Sequence, residues 1–320
     1  MLAHTRGLAL AGLVAVSMQP ACAHRGAPRP PLPDGVEAWS LAGEPLYRPA
    51  IEPAVAADRR DELDAARRAY ERAPSRVDAI VWYGRRNAYL GRYQEAIAIY
   101  SRGLETHPDS PHLLRHRGHR YITVRRPDAA VRDLERAARL IAGSEDEVEP
   151  DGLPNARNIP TSTLHSNIWY HLGLAHYLRG DFAAALAAYR SCEAVSRNPD
   201  MLVATSNWLY LTLRRLGRDA EAARILRPIR ADIDIIENLS YHRLLLLYKG
   251  ELSEAAVLAA AGDDLNNATV GYGVATWHLV EGRADRAHEL YRRILQGPQW
   301  AAFGFLGAEA DLARLEQAAN

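Results

Sequence analysis

Cysteine, lysine and long apolar runs are all scarce in this chain of 320 residues. With 2 cysteines, Cys22 and Cys192, a framework of disulfide bonds is excluded, and we expect no intrachain disulfide. Lys249 is the only lysine, and basic and acidic residues balance at 39 each, which argues against a nucleic-acid partner. The apolar run from Gly7 to Met18 is too short to span a bilayer.

The motifs of common catalytic and cofactor sites are also missing. The sequence has no nucleophile elbow, no glycine-rich phosphate loop, no HExxH pattern and no CxxC pattern. We therefore expect no cofactor, and a non-catalytic protein is favoured over an enzyme.

Residues 1–23 have the pattern of an export signal. Arg6 precedes the apolar run, and Ala21-Cys22-Ala23 offers small residues around a cleavage point. A cleaved export signal is favoured, and a bacterial lipoprotein acylated on Cys22 is the main alternative, ahead of an uncleaved anchor. Both main interpretations predict a periplasmic or secreted protein, attached to a membrane only if an N-terminal lipid anchor is present.

Residues 24–57 are rich in proline and glycine. This composition predicts an extended tether, or a strap that lies on the folded part of the chain. From Asp58 to Ala73, charged residues alternate with apolar residues at helical spacing, and Pro74 then ends the helix. We expect this helix to cap the N-terminal end of the fold.

A repeat with a period of 34 residues organises the rest of the sequence. Gly84 and Gly118 are 34 residues apart, and so are Ala96 and Ala130. Each unit has the pattern of a helix of about a dozen residues, a short turn and a second helix. Small residues at these positions let the paired helices approach closely, and larger ones such as Tyr100 fill the space beside them.

These residues resemble the tetratricopeptide repeat (TPR) family. The unit that begins at Val77 has the family's small residue at Gly84, its alanine at Ala96, its aromatic residue at Tyr100 and its proline at Pro108. Further units begin near Pro111, Ser166, Val203, Ile236 and Ala268.

The resemblance implies an all-α fold. Residues 58–300 would form a right-handed superhelical solenoid of about six TPR-like helix-turn-helix units, with N- and C-terminal capping helices, the latter over residues 301–320. An insertion at residues 143–163 interrupts the units and carries an acidic run from Glu145 to Glu149, followed by prolines. It is expected to be either a solvated connector or a lid over a site.

In the TPR family the first helix of each unit lines a concave groove. We carry these groove positions over to this sequence by alignment and add His165, which lies beside the insertion. The resemblance then implies a polar and aromatic groove. The predicted groove residues are Asp78, Arg85, Tyr89, His112, Arg115, His119, His165, Asn167, Tyr170, Asn207 and Tyr241. Arginine forks suit carboxylate or phosphate groups, asparagine both donates and accepts, and tyrosine adds a flat apolar face.

Three histidines fall on one face of the first helix of the second unit. His112, His116 and His119 are spaced by four and then three residues. A Zn(II) or Cu(II) site is the weaker interpretation, because a straight helix spreads the three over roughly 10 Å and the neighbouring arginines repel a cation. Partly exposed polar histidines are favoured, and no metal site is predicted.

Two functions remain open at this stage. The favoured one is a non-catalytic scaffold of the cell envelope that binds a protein or peptide partner in the concave groove. The alternative is a small-molecule-binding or enzymatic site for an anionic or sugar-like ligand, in the groove under the 143–163 insertion. That alternative requires Asp78, Arg85, His119, His165 and Asn167 to converge.

Overall fold

The computed structural model describes residues 31–262 and 264–319, which form a short β-hairpin followed by a solenoid of α-helices. The predicted signal at 1–23, with its Cys22, lies outside the described residues. No helix in the described ranges is long and apolar enough to cross a membrane. The elements are β1 Val36–Trp39, β2 Pro45–Tyr47, α1 Pro53–Arg72, α2 Val77–Tyr89, α3 Tyr93–Thr106, α4 Pro111–Thr123, α5 Pro127–Leu140, α6 Leu164–Arg179, α7 Phe182–Val195, α8 Pro199–Arg215, α9 Asp219–Leu226, α10 Leu239–Lys249, α11 Glu254–Ala259, α12 Asp264–Val280, α13 Ala284–Leu295 and α14 Phe303–Ala319.

Helices α2 to α13 form six consecutive helix-turn-helix units, which confirms the predicted all-α repeat architecture. The small residues of the repeat stand where two helices nearly touch. A Cβ atom on Gly84 would lie 2.2 Å from the Tyr100 ring, and one on Gly118 would lie 2.7 Å from Leu134. Only glycine permits this separation, so the sequence repeat follows from helix packing.

The turns inside the units share a left-handed residue. Five units place a glycine there with positive φ: Gly91, Gly180, Gly217, Gly250 and Gly282. The second unit instead has Arg125 at φ 59°, a conformation that costs an L-residue about 1–2 kcal/mol. The side chain of Arg125 has long-range contacts that offset this cost, and they involve the last helix.

Helix α14 packs on α12 and α13, and it also contacts α6. Because α6 and α12 are first helices of their units, α14 lies on the side that the resemblance assigns to the groove. Two glycines allow the close approach: a Cβ on Gly304 would lie 2.1 Å from the Ala268 carbonyl oxygen, and one on Gly307 would lie 2.5 Å from the Tyr272 ring. The sequence predicted a cap over residues 301–320 but not this contact with the third unit.

Arg125 connects α14 to the second unit. Its Nε donates to Glu309 Oε2 at 2.9 Å, and its Nη2 donates to the Trp300 carbonyl at 2.9 Å. The other oxygen of Glu309 accepts a hydrogen bond of 2.8 Å from the backbone N–H of Leu41. The hairpin, the second unit and the last helix are therefore joined through one buried ion pair.

The segment expected to be a tether at 24–57 is folded over part of its length. Strands β1 and β2 pair in antiparallel fashion. Glu37 holds this hairpin on the first unit: its buried carboxylate accepts from the Gln94 N–H at 2.9 Å and pairs with Arg48 at 2.7 Å. These contacts are long-range, so proline content alone did not reveal them.

The first helix begins at Pro53, five residues before the expected start at Asp58. The Glu52 side chain caps it by accepting from the backbone N–H groups of Ala54 and Val55. Proline at the first helical position is favourable because its ring presets φ and it has no N–H to leave unpaired.

The 143–163 insertion turns back on itself and lies against the solenoid. The Glu149 N–H donates to the Ser162 carbonyl at 3.1 Å, and the Leu164 N–H donates to the Glu147 carbonyl at 2.9 Å. Thr163 then caps α6 in a capping box with Ser166. This pairing directs the acidic run towards α2 and α4.

Candidate functional site

The carboxylate of Glu149, in the insertion, is the centre of the site and is only 7% exposed. Its Oε2 lies 3.1 Å from Arg115 Nε and accepts a 2.9 Å hydrogen bond from Asn167 Nδ2. Its Oε1 lies 3.1 Å from His116 Nε2 and 4.0 Å from Arg85 Nη1. Helices α2, α4 and α6 therefore bring predicted groove residues together around one acidic side chain.

Neighbouring charges set the protonation states of this cluster. Burial alone would raise the pKa of Glu149, but Arg115 and His116 hold it well below its usual range. Burial, followed by the charge of Arg115, lowers the pKa of His116 to about 3, so its imidazole is neutral at pH 7. His116 Nδ1 accepts from Arg115 Nη1 at 2.9 Å, which leaves the proton on Nε2, facing Glu149.

The first unit holds the backbone of the insertion next to Glu149. Arg85 Nη1 donates to the Pro150 carbonyl at 2.8 Å, and Arg86 Nη1 donates to the Gly152 carbonyl at 2.8 Å. The Tyr89 hydroxyl lies against Gly152, where a Cβ would be only 1.9 Å away. The groove thus binds an extended segment through its carbonyl groups as well as through its carboxylate.

An open cavity of about 720 Å³, here called the outer pocket, lies between α2, the start of α4 and residues Glu147–Pro150. One wall is apolar and includes Val77, Val81 and Trp82. His112 lies at the edge of the cavity and pairs with Glu147. Such a mixture of an apolar wall and convergent polar groups is typical of a binding site.

The three predicted candidate histidines have different partners. His112 contacts Glu147, His116 contacts Glu149, and the His119 ring lies 4.2 Å from the His171 ring, measured between centroids. Burial lowers the pKa of His119 well below its ordinary value. In the part of the chain that the structure describes, no group of three His, Cys, Asp or Glu residues is arranged to hold a metal ion.

Two residues of the predicted catalytic set do not join the cluster. Asp78 is exposed at the edge of the outer pocket and pairs with Arg76 at 2.8 Å. His165 is buried, with its Nε2 3.2 Å from the Ser144 hydroxyl and its backbone N–H bonded to Asp146. The convergence that the enzymatic alternative required is therefore not formed.

Three further predicted groove residues are packed inside the protein. Tyr170 accepts from Trp208 Nε1 at 2.7 Å and donates to the Tyr241 hydroxyl at 3.2 Å. Asn207 accepts from the Tyr248 hydroxyl at 3.3 Å. Tyr170 and Asn207 are buried and Tyr241 is half-buried, so the three do not form an open surface. Phe303 of α14 lies beside Tyr170, with 6.3 Å between ring centroids.

The family model of the tetratricopeptide repeat matches residues 166–199, which correspond to α6 and α7. The unit formed by α6 and α7 is therefore similar to a tetratricopeptide repeat. The chain matches no curated protein sequence. A TPR unit supports a protein-interaction scaffold in general.

Comparison with solved structures gives matches of low sequence identity, with TM-scores below 0.5. The crystal structure of the MamA protein is 17% identical, with 62% of this chain and 90% of that chain covered and a TM-score of 0.41. YrrB, titled a TPR protein with an unusual peptide-binding site, is 14% identical, with 75% and 96% covered and a TM-score of 0.40. A tetratricopeptide repeat protein from Parabacteroides merdae ATCC 43184 is 16% identical, with 80% and 94% covered and a TM-score of 0.46.

Sequence reasoning did not assign a role to Glu149, nor did it place Trp82 or Arg120 in the TPR groove. A signal for the role of Glu149 was present: an acidic run in the insertion follows a unit rich in arginine and histidine. Charge complementarity between the two would have predicted that the insertion folds onto α4.

Proposed function

We propose that this TPR protein is a non-catalytic scaffold of the cell envelope that binds an extended acidic segment of a partner protein. The binding surface is the groove between α2 and α4, with the outer pocket beside it. The observation that carries this proposal is the position of Glu147–Pro150, an extended acidic segment of the chain itself, in that groove. The envelope location rests on the export-signal pattern of residues 1–23.

Contacts in the groove depend on chemistry that many acidic segments share. Arg115 and His116 contact a carboxylate, and Arg85 and Arg86 donate to backbone carbonyls. A partner segment with a glutamate or aspartate at the same place would form the same ion pairs that the insertion gives up. Exchange of one segment for the other therefore leaves Arg115 paired with a carboxylate.

The insertion itself is only partly packed. Val148, Leu153 and Ile159 are 62%, 52% and 49% exposed, so three large apolar side chains of this segment contribute little to a core. A segment with little buried apolar area opens at a low free-energy cost compared with the helices around it. We infer that the insertion is the part of the chain that a partner displaces.

The outer pocket adds an apolar requirement to the partner. Val77, Val81 and Trp82 lie beside the carboxylate site, with the guanidinium of Arg85 stacked 4.6 Å from the Trp82 ring centroid. A partner would contact both the carboxylate site and the apolar wall if its extended segment had an acidic residue next to an apolar one.

Binding is tested by fluorescence anisotropy with a labelled peptide that copies residues 144–152, titrated with the full chain and with Glu149→Gln. We expect the peptide to bind Glu149→Gln more tightly than the wild type, because the variant holds its own insertion less firmly. Trp82→Ala should weaken binding, whereas Trp277→Ala, at a partly buried tryptophan of the sixth unit, should not. Absence of binding to both wild type and Glu149→Gln would contradict the proposal.

The envelope location has a separate test. Intact-mass measurement of the protein purified from its native cells should show a chain that begins at His24, or one that begins at an acylated Cys22. A mass that includes residues 1–23 without modification, in a cytoplasmic fraction, would refute the envelope location but not the peptide site.

A further inference from the structure

A second cavity lies between α2, α3 and α4, next to the Glu149 cluster, and we refer to it as the inner cavity. Its volume is about 110 Å³, which equals the liquid volume of roughly four water molecules. Its polar wall consists of Arg85, Tyr89, Tyr100, Arg115, His116, His119 and Arg120. The inner cavity therefore has room for one small tetrahedral ion and is lined mainly by hydrogen-bond donors.

Positive charge exceeds negative charge around this cavity. Three guanidinium groups border it, and in the described parts of the chain only Glu149 brings a carboxylate within 4.0 Å of any of them. Arg120 has no ion pair or side-chain hydrogen bond with any described residue, and its guanidinium lies 5.6 Å from the Tyr93 ring centroid. Burial lowers the pKa of Arg120. About two positive charges thus lack a partner, which is costly away from water.

Two neutral donors also lack a partner at the inner cavity. Tyr100 is 1% exposed, and its hydroxyl forms no hydrogen bond with the residues that the structure describes. Within the same ranges, the imidazole of His119 contacts the His171 and Phe303 rings but forms no hydrogen bond. Both groups line the inner cavity, so both are available to donate to an acceptor bound there.

We propose that the inner cavity binds a small oxyanion of the class of inorganic phosphate or sulfate. The arginine forks match the oxygen atoms of such an ion in bidentate geometry, and its two negative charges balance the excess on Arg85, Arg115 and Arg120. Tyr100 and His119 donate to the remaining oxygens. This assignment goes beyond the peptide groove and does not rest on it, because no part of the insertion forms the wall of the inner cavity.

Isothermal titration calorimetry of the full chain with sodium phosphate and with sodium sulfate tests the site, with sodium chloride at matched ionic strength as the reference. We expect saturable binding of one ion per chain. Arg120→Met should raise the dissociation constant about tenfold or more, and Tyr100→Phe should raise it about threefold through loss of one hydrogen bond. Arg139→Met, at an exposed arginine of α5, is the matched control and should leave binding unchanged.

Thermal melting separates loss of the site from loss of the fold. At the same concentration, phosphate should raise the melting temperature of the wild type more than that of Arg120→Met. In phosphate-free buffer Arg120→Met should melt at or above the wild-type temperature, because the substitution removes a half-buried charge that has no acidic partner. If Arg120→Met does not fold, Tyr100→Phe provides the same comparison.

Three results would overturn the proposal. The first is that the wild type binds neither phosphate nor sulfate beyond the chloride reference. The second is that a folded Arg120→Met, or Tyr100→Phe in its place, binds them as the wild type does. The third is that Arg139→Met loses as much affinity as Arg120→Met. Failure of the acidic peptide to bind, with phosphate binding intact, would refute the proposed function and leave this site standing.

Discussion

The two halves of the TPR groove are covered by the chain itself in different ways. Over the first three units the cover is the irregular insertion, which is held by ion pairs around Glu149 and leaves the outer pocket open beside it. Over the last units the cover is α14, a regular helix packed on α12 and α13. A helix that fills the groove is a permanent part of the core, whereas an ion-paired loop is exchangeable.

The central acidic residues of the two covers show the same difference. Asp311 of α14 is 1% exposed, accepts from the hydroxyls of Tyr272 and Tyr291 at 2.9 and 3.2 Å, and pairs with Arg215. The network around this carboxylate extends to Tyr177, because the Tyr272 and Tyr177 hydroxyl oxygens lie 3.0 Å apart. Two arginines, Arg215 and Arg314, pair with Asp311, whereas the cavity beside Glu149 is bordered by three arginines, of which Arg120 has no ion pair with a described residue.

The largest expected difference between the two halves is in their response to low pH, which should destabilise the first half. His116 and His171 are buried and His119 is half-buried in the first half, and the loss of solvation lowers their pKa values, to about 3 for His116 and His171. In the unfolded chain they gain protons below about pH 6.5, so stability is complete above that pH and is lost as the pH falls towards the folded pKa values. At about 1.4 kcal/mol per pH unit for each group, the loss between pH 7 and pH 5 is roughly 5 kcal/mol.

Urea unfolding at pH 7 and pH 5 measures this loss. His116→Gln keeps one acceptor and one donor but does not titrate, so it should remove about a third of the pH dependence. His107→Gln, at a histidine whose ring bonds an exposed carbonyl, should not change it. Equal wild-type stability at both pH values would show that these rings are not held neutral by the fold.

Removal of the acidic centre of the second cover should cost about 3–5 kcal/mol. Asp311→Asn leaves Arg215 and Arg314 without a buried counter-charge and disturbs the tyrosine network. Chemical denaturation measures the change, and Asp285→Asn, at an exposed position of α13, is the control and should stay within about 0.5 kcal/mol of the wild type. A cost near zero for Asp311→Asn would mean that α14 is not tied down by this network.

A smaller effect on stability is expected when one methyl group is added to α14 or to the insertion, at a glycine that contacts the solenoid. Gly304→Ala would place a Cβ 2.1 Å from the Ala268 carbonyl oxygen, so α14 must move and stability should fall by about 1–3 kcal/mol. Gly152→Ala would place a Cβ 1.9 Å from the Tyr89 hydroxyl, yet the insertion can shift away, so the expected cost is below about 0.5 kcal/mol. Similar thermal shifts for both variants would contradict the distinction between the covers.

Much of the repeat was predictable from sequence, because the period of 34 residues records contacts within one unit and with its neighbour. The Gly84–Tyr100 contact is one such case. The covers were not predictable, because they depend on contacts between distant residues: Arg125 and Glu309 are 184 positions apart. Arg125 did carry a signal, since it occupies a turn position that is glycine in the other units.

The predicted site residues show the same difference between what the repeat pattern predicts and what it does not. Arg85, Arg115 and Asn167 converge because they lie on neighbouring first helices, as the repeat implies. Tyr170 and Asn207 follow the same rule, yet they are buried beside Trp208 and Tyr248, contacts that alignment by position does not reveal. A motif carried over by position therefore locates the groove but does not show what fills it.

The central claim is that the insertion can be exchanged for a partner segment, whereas α14 stays in place. Its most direct test is hydrogen–deuterium exchange of the full chain, with and without the acidic peptide. Without peptide, backbone amides of residues 145–152 should exchange at least about tenfold faster than those of residues 305–315. Added peptide should speed exchange in 145–152 further and leave 305–315 unchanged. Equal protection of the two segments, with no response to the peptide, would contradict the account.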